Sequence, residues 1–348
     1  MRIWTALALL LGALFLGVGL TSTSSAAGPT PAVRSSAVTE TRGTIDYLRT
    51  IDTDQIVQFA KPRSMWDKVL EWVAGPAERP WFARPYALTE DSLGRLIVTD
   101  STQGVVHILD FERRKYFQIS KAGGEHLLSP VGVAVDAADN IYVSDSMRAR
   151  IYVFNRVGKF LRALGESDRK ILFKRPTGLA IDAVRGVLYV TDTLRHQVLV
   201  LDLRGNPQRA IGRRGAGPGE FNFPTALTLA DGNLYVVDAM NFRVQILSPE
   251  GSFVRSFGAL GNRSGMLNRP KGISVDSDGN VYLVDALFDT VQVFDSEGRL
   301  LIYFGKTGAG PGEFVLPSGI YVNPYGRIFV ADSENGRVQV FRYQRVEH

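Results

Sequence analysis

From about residue 80 onward, apolar positions fall in short runs with a period of two rather than 3.6. Ile141-Tyr-Val-Ser144, Leu188-Tyr-Val-Thr191 and Val198-Leu-Val-Leu201 are typical. Runs this short, rich in β-branched and aromatic residues, predict strands. The segments between them carry hairpin chemistry: Asp231-Gly-Asn233, Asp276-Ser-Asp-Gly279-Asn280 and Asp295-Ser-Glu-Gly298. Asn and Gly tolerate the positive φ that tight hairpins require.

The strand pattern repeats. A Pro opens an apolar run at Pro130, Pro176, Pro224, Pro270 and Pro317, and more loosely at Pro85. An Asp closes the next run at Asp100, Asp145, Asp192, Asp238, Asp285 and Asp332, with gaps of 45, 47, 46, 47 and 47 residues. Four short strands at such a period are the signature of a β-propeller blade. The heptapeptide GAGPGEF occurs at 215–221 and again at 308–314, each time followed by two residues and then such a Pro. It falls after a fourth strand and before the next first strand. It therefore reads as a blade-to-blade crossover, with Pro ending the fourth strand and Phe filling the gap between blades. No helical pattern follows it, so a phosphate loop is not indicated.

These features resemble the NHL-repeat β-propellers. The resemblance rests on the crossover, on the Pro-x-Gly-apolar first strand, and on the steps Asp238-Ala-Met-Asn241-Phe-Arg243-Val and Asp332-Ser-Glu-Asn335-Gly-Arg337-Val. It covers roughly residues 80–343 and implies a single six-bladed propeller of the exported bacterial type. NHL propellers include RNA-binding modules, extracytoplasmic sensor domains and peptidylglycine amidating lyase, so the likeness is specific for fold and weak for function.

The expected fold is all-β: six four-stranded antiparallel blades, with repeats at about 80–125, 126–171, 172–219, 220–265, 266–312 and 313–343. The last repeat lacks a fourth strand. Thr44-Ile-Asp-Tyr47-Leu-Arg-Thr-Ile51 resembles the other fourth strands and is assigned to close the ring, with Val69 to Val73 as the alternative. Apolar spacing from Ser64 to Gly75 predicts one short amphipathic helix.

The N-terminus modifies this picture. Met1-Arg2, an uncharged run from Ile3 to Leu20 and small residues up to Ala27 read as a signal peptide over 1–27, with a membrane anchor through residues 3–20 as the alternative. A flexible lead spans 28–43, and the propeller spans 44–348. The expected location is periplasmic or extracellular. The chain has no Cys, which excludes disulfides, thiolate metal sites and lipoprotein acylation. A net charge of +5 without like-charge blocks gives no nucleic-acid footprint.

Candidate chemistry is sparse. The repeated Asp residues are read as structural, paired across the turn in three copies: Asp145 with Arg150, Asp238 with Arg243, and Asp332 with Arg337. Val105, Gln197 and Thr290 replace the Arg in the other copies. His107, His126, His196 and His348 all lie off the first strands. The expected channel lining of Thr89, Ala134, Ala180, Thr228, Ser274 and Tyr321 holds no carboxylate or imidazole cluster, so no metal or cofactor is expected. The turns between second and third strands carry Met147, Arg148, Leu194, Arg195, Met240, Phe242, Leu287 and Phe288, unusual for loop tips. They suggest a loop face that binds a protein, peptide or apolar ligand. The expectation is a monomeric, non-catalytic scaffold with a protein or peptide partner in the cell envelope, and membrane contact only through the N-terminal segment. The alternative is a propeller lyase or hydrolase, resembling amidating lyase or gluconolactonase, with a loop-built site.

Overall fold

The computed structural model describes residues 43–59, 82–167 and 170–345. The expected signal segment and the helix expected at Ser64 to Gly75 lie outside the described residues. Six four-stranded antiparallel sheets form the blades of one propeller. Blades 1 to 5 span 85–119, 130–164, 176–211, 224–257 and 270–304, and blade 6 combines 320–345 with 43–51.

The second and third strands are almost wholly buried on both faces, as in Leu96–Asp100 and Val105–Asp110. Each face packs on a neighbouring blade, so the core is a series of layers between blades. Ala180, Tyr189 and Val198 of blade 3, for example, meet Leu227, Leu234 and Val236 of blade 4. The sequence shows short two-sided apolar runs because each sheet needs an apolar surface toward both neighbours.

The ring is closed by Gly43–Ile51, which pairs antiparallel with Arg337–Arg345. A bulge between Tyr47 and Arg49 shifts the alternation of the strand. As a result Ile45 packs into the layer between blades 5 and 6, while Ile51 is buried in the layer between blades 6 and 1. A seven-residue helix, Thr53–Phe59, follows directly. Asp52 starts it by accepting from the Asp54 and Gln55 amides at 3.1 and 3.2 Å, and Ile56 packs into the same layer as Ile51. The sequence pattern did not indicate this helix, because fewer than two turns carry too few apolar positions to show a period.

Truncating Ile51 to Ala, a fully buried side chain at the closure, is expected to lower stability by about 2–5 kcal/mol. Deleting 44–51 should depress the melting temperature far more, because it also exposes the edge of blade 6. If the deletion variant melts like the intact protein, some other segment closes the ring.

Candidate functional site

All six repeated Asp side chains are completely buried. Each lies at the loop-face end of its second strand and accepts hydrogen bonds from the chain that enters its own blade. Asp100 accepts from the Ala83 and Arg84 amides, Asp145 from Leu128 and Ser129, Asp192 from Lys174 and Arg175, and Asp285 from Asn268 and Arg269. The carboxylates also hold their own tips: Asp100 accepts from Thr102 and Gln103, and Asp145 from Met147 and Arg148. Arg150 stands opposite Asp145 in the strand register.

Blades 4 and 6 are built differently. Asp238 accepts from one entering amide, Asn222, and from the Asn241, Arg243 and Gln245 side chains at 2.8, 2.8 and 3.2 Å. Asp332 is surrounded in the same way by Val315, Asn335, Arg337 and Gln339. The same side chains grip the GAGPGEF loops. Arg243 donates to the carbonyls of Gly217 and Glu220, Asn241 to Gly215, and Gln245 to Glu220 while accepting from Gly219. Within the loop, Glu220 accepts from the Gly217 amide at 3.0 Å. A Cβ on Gly215 would lie 2.1 Å from the Glu220 carboxylate, so a side chain here would displace Glu220 from the loop. Phe221 and Phe314 are completely buried between blades. The heptapeptide is therefore a structural joint, and its partner is the Asp-x-x-Asn-x-Arg-x-Gln of the blade it enters. A third joint, Leu260–Leu267, has the same parallel bridge as Arg214–Phe221 and Thr307–Phe314. Only its glycines at 261 and 265 match the heptapeptide, so the sequence does not mark it as a copy.

The tips separate into two groups. Met147, Met240 and Leu287 are 72%, 52% and 52% exposed. Leu194, Phe242 and Phe288 are half-buried, and Phe242 packs on the layer between blades 4 and 5. These three therefore offer less apolar surface to this face than the first group. Phe242 ends its turn with φ of +54°, a conformation that carries the chain back toward the blade. Arg148 pairs with Glu125 at 3.1 Å, and Arg195 donates to the Leu172 carbonyl. Five further cations of this face, Lys174, Arg175, Arg214, Arg263 and Arg269, are exposed and have no ion pair among the described residues.

The six residues expected to face the channel line it, and Thr89, Thr228 and Tyr321 are half-exposed there. Ala134, Ala180 and Ser274 are buried, because side chains of an inner strand alternate between the two adjacent blades. The unpaired edge of the strand faces the axis instead. The Pro-x-Gly motif follows from this geometry. A Cβ at Gly132 or Gly272 would come within 2.0 or 2.5 Å of the next inner strand's carbonyl, so the third position must be small. Among the described residues, no three His, Asp or Glu side chains converge in a group that could hold a metal ion.

His196 bridges two blades. Its Nδ1 accepts from the Phe223 amide of the next crossover at 3.1 Å, and its ring stacks edge-on against Phe223. Asp289 plays the same part toward Leu316. Burial, with the Arg214 guanidinium adding to it, holds the His196 pKa below its ordinary value of 6.5. The neutral ring is the form that can accept, so its contribution to stability is complete above about pH 6.5 and is lost as pH falls through the lower folded-state value. Melting temperatures taken between about pH 7 and pH 5 should therefore drop more for the native chain than for His196→Gln. Parallel curves would remove His196 from the joint. Separately, Asp238→Ala should cost about 3–5 kcal/mol, because it strands the Arg243 guanidinium, which is 15% exposed. Urea denaturation would measure this.

Residues 171–256 match the family described as 6-bladed beta-propeller, and residues 314–341 match the NHL repeat. Over 135 residues the chain is 29% identical to Protein brain tumor of Drosophila melanogaster, covering 38% of this chain and 12% of that protein. The chain thus spans a small part of that relative's length. Virginiamycin B lyase from Staphylococcus aureus is similar in structure at 13% identity and a TM-score of 0.52, over 75% of this chain and 95% of the other. A gluconolactonase from Xanthomonas campestris gives 16% and 0.57, over 76% and 88%. At such identities both show a shared fold and nothing finer. The recurring buried Asp, the gripped glycine joints and the six four-stranded sheets have one reading: this chain is a six-bladed β-propeller, with an NHL repeat matched in its last blade.

Proposed function

We propose that this propeller is a binding scaffold whose loop face docks a protein or peptide segment of mixed apolar and acidic character. The observation that carries the reading is the composition of that face. Three long, flexible or branched apolar side chains, Met147, Met240 and Leu287, stand more than half exposed on the tips of blades 2, 4 and 5. Leu260 is exposed on the crossover between blades 4 and 5. Such side chains at protruding turns supply anchor contacts, and Met adapts its shape to more than one surface. The unpaired cations Lys174, Arg175, Arg214, Arg263 and Arg269 lie on crossovers of the same face, which favours carboxylates on the partner. In the arrangement proposed, the chain is exported by its N-terminal segment and meets this partner in the cell envelope. Two structural neighbours bear enzyme names, a lyase and a gluconolactonase, but at 13% and 16% identity they support the fold alone.

A random-peptide display library panned on the purified chain is expected to enrich sequences that combine acidic and large apolar residues. The triple variant Met147→Ser, Met240→Ser, Leu287→Ser should melt within about 5 °C of the native protein, since isolated surface changes rarely exceed about 0.5 kcal/mol each. It should bind the selected peptides at least tenfold more weakly, because a few central anchors dominate an interface. Phe242 is left intact because its side chain belongs to the core. Peptides that bind the variant and the native protein equally would overturn the assignment of this face.

A further inference from the structure

The six inner strands enclose an axial cavity of about 260 Å³. Repetition provides an internal comparison for its lining. The residue after each inner-strand Pro stands at the loop-face mouth, and the six are Tyr86, Val131, Thr177, Thr225, Lys271 and Ser318, all on the cavity wall except Thr177. Only Lys271 is charged. Its ammonium lies 5.4 Å from the Tyr86 ring centroid, across the inner strand of blade 6. It is half-buried, and it has no ion pair or hydrogen bond among the described residues. A cation held over an aromatic face in a partly enclosed site, with no carboxylate nearby, is a receptor for an anion.

A second observation points the same way. The hydroxyls of this ring are normally saturated. Thr177 bonds Thr191 and Thr193 at 2.8 and 2.7 Å, and Ser318 bonds Ser333 at 2.7 Å. Thr225, on the blade next to Lys271, is the exception. Its hydroxyl is shielded from solvent and has no partner. Buried polar groups without partners are rare in native structures, and this one belongs to a residue that lines the cavity on the blade next to that of the unpaired cation.

We propose that the loop-face mouth of the channel binds a small organic monocarboxylate. Its anion sits on the Lys271 ammonium, the Thr225 hydroxyl turns about χ1 from its shielded position to donate to it, and its apolar body lies against the aliphatic wall below. One ammonium and one hydroxyl match a single negative charge, whereas a phosphate dianion would call for several more donors than the cavity offers. The volume is just under that of a drug-sized ligand pocket, about 300 Å³ at the lower end, which limits the ligand to a compact acid. The site is distinct from the exposed tips, so it stands or falls independently of the docking surface.

Titration of the full chain with hexanoate tests it, with hexanamide as the neutral isostere and inorganic phosphate as the competing anion. Hexanoate should bind saturably with Kd on the order of 1 mM. Hexanamide should bind at least about tenfold more weakly, and phosphate should not displace hexanoate. Lys271→Met should lose about tenfold or more, Thr225→Val several-fold, and Lys271→Arg should stay close to native. The triple tip variant should bind hexanoate unchanged. The proposal is overturned if hexanoate and hexanamide bind the native chain equally, if hexanoate does not saturate by about 50 mM, if phosphate is preferred, or if folded Lys271→Met binds as well as native. The first comparison needs no variant, so misfolding of a mutant cannot leave the question open.

Discussion

A buried carboxylate holds every joint of this ring. Ionised carboxylates are expensive to remove from water, and each of the six is tolerated only because donors converge on it from two directions. One set comes from the tip of its own blade. The other comes from the chain arriving from the blade before. The cost of burying the charge thereby becomes a constraint on geometry, since the crossover must enter at the one place where its amides can meet the carboxylate. The Pro that follows then starts the inner strand in a fixed register. The period of 45 to 47 residues visible along the chain is the spacing of these joints.

The two ways of satisfying the Asp explain why the repeats diverge. In blades 1, 2, 3 and 5 the carboxylate takes two amides from the entering chain. In blades 4 and 6 the residue before the Pro gives its amide to the preceding tip, to His196 or Asp289. Arg, Asn and Gln side chains then complete the Asp. Those side chains reach far enough to hold a glycine-rich loop as well, which is why GAGPGEF appears before these two blades. The heptapeptide and the Asp-Asn-Arg-Gln set are halves of one interaction.

Most of the architecture was legible in the residues themselves. The Asp period, the turn chemistry and the similarity of 44–51 to other fourth strands were enough for six blades and their closure. What escaped had physical causes. The helix at 53–59 is too short to show a period. The joint at 260–267 retains glycines but not the Glu and Phe that made the other two copies visible. Phe242 looked like an exposed tip because sequence position does not reveal that a turn ending at positive φ folds its side chain onto the neighbouring layer. Alternation along the inner strands is enough to find six residues that line the channel. The mouth ring containing Lys271 lies before the irregular pairing that follows each Pro, where alternation no longer applies.

Closure has a consequence for the order in which the molecule can be made. Gly43 pairs with Arg345, so the first strand of the propeller to be synthesised has its only sheet partner at the far end of the chain. Blades 1 to 5 are each local in sequence and can form as they emerge. Blade 6 cannot, and until it does the layers on either side of it stay open to water. A nascent chain therefore carries a string of half-protected sheets, and full cooperativity arrives only when synthesis is complete. Contacts of such sequence separation form slowly. The species at risk of association is an open arc of blades, and its lifetime depends on how quickly Gly43–Ile51 finds its place.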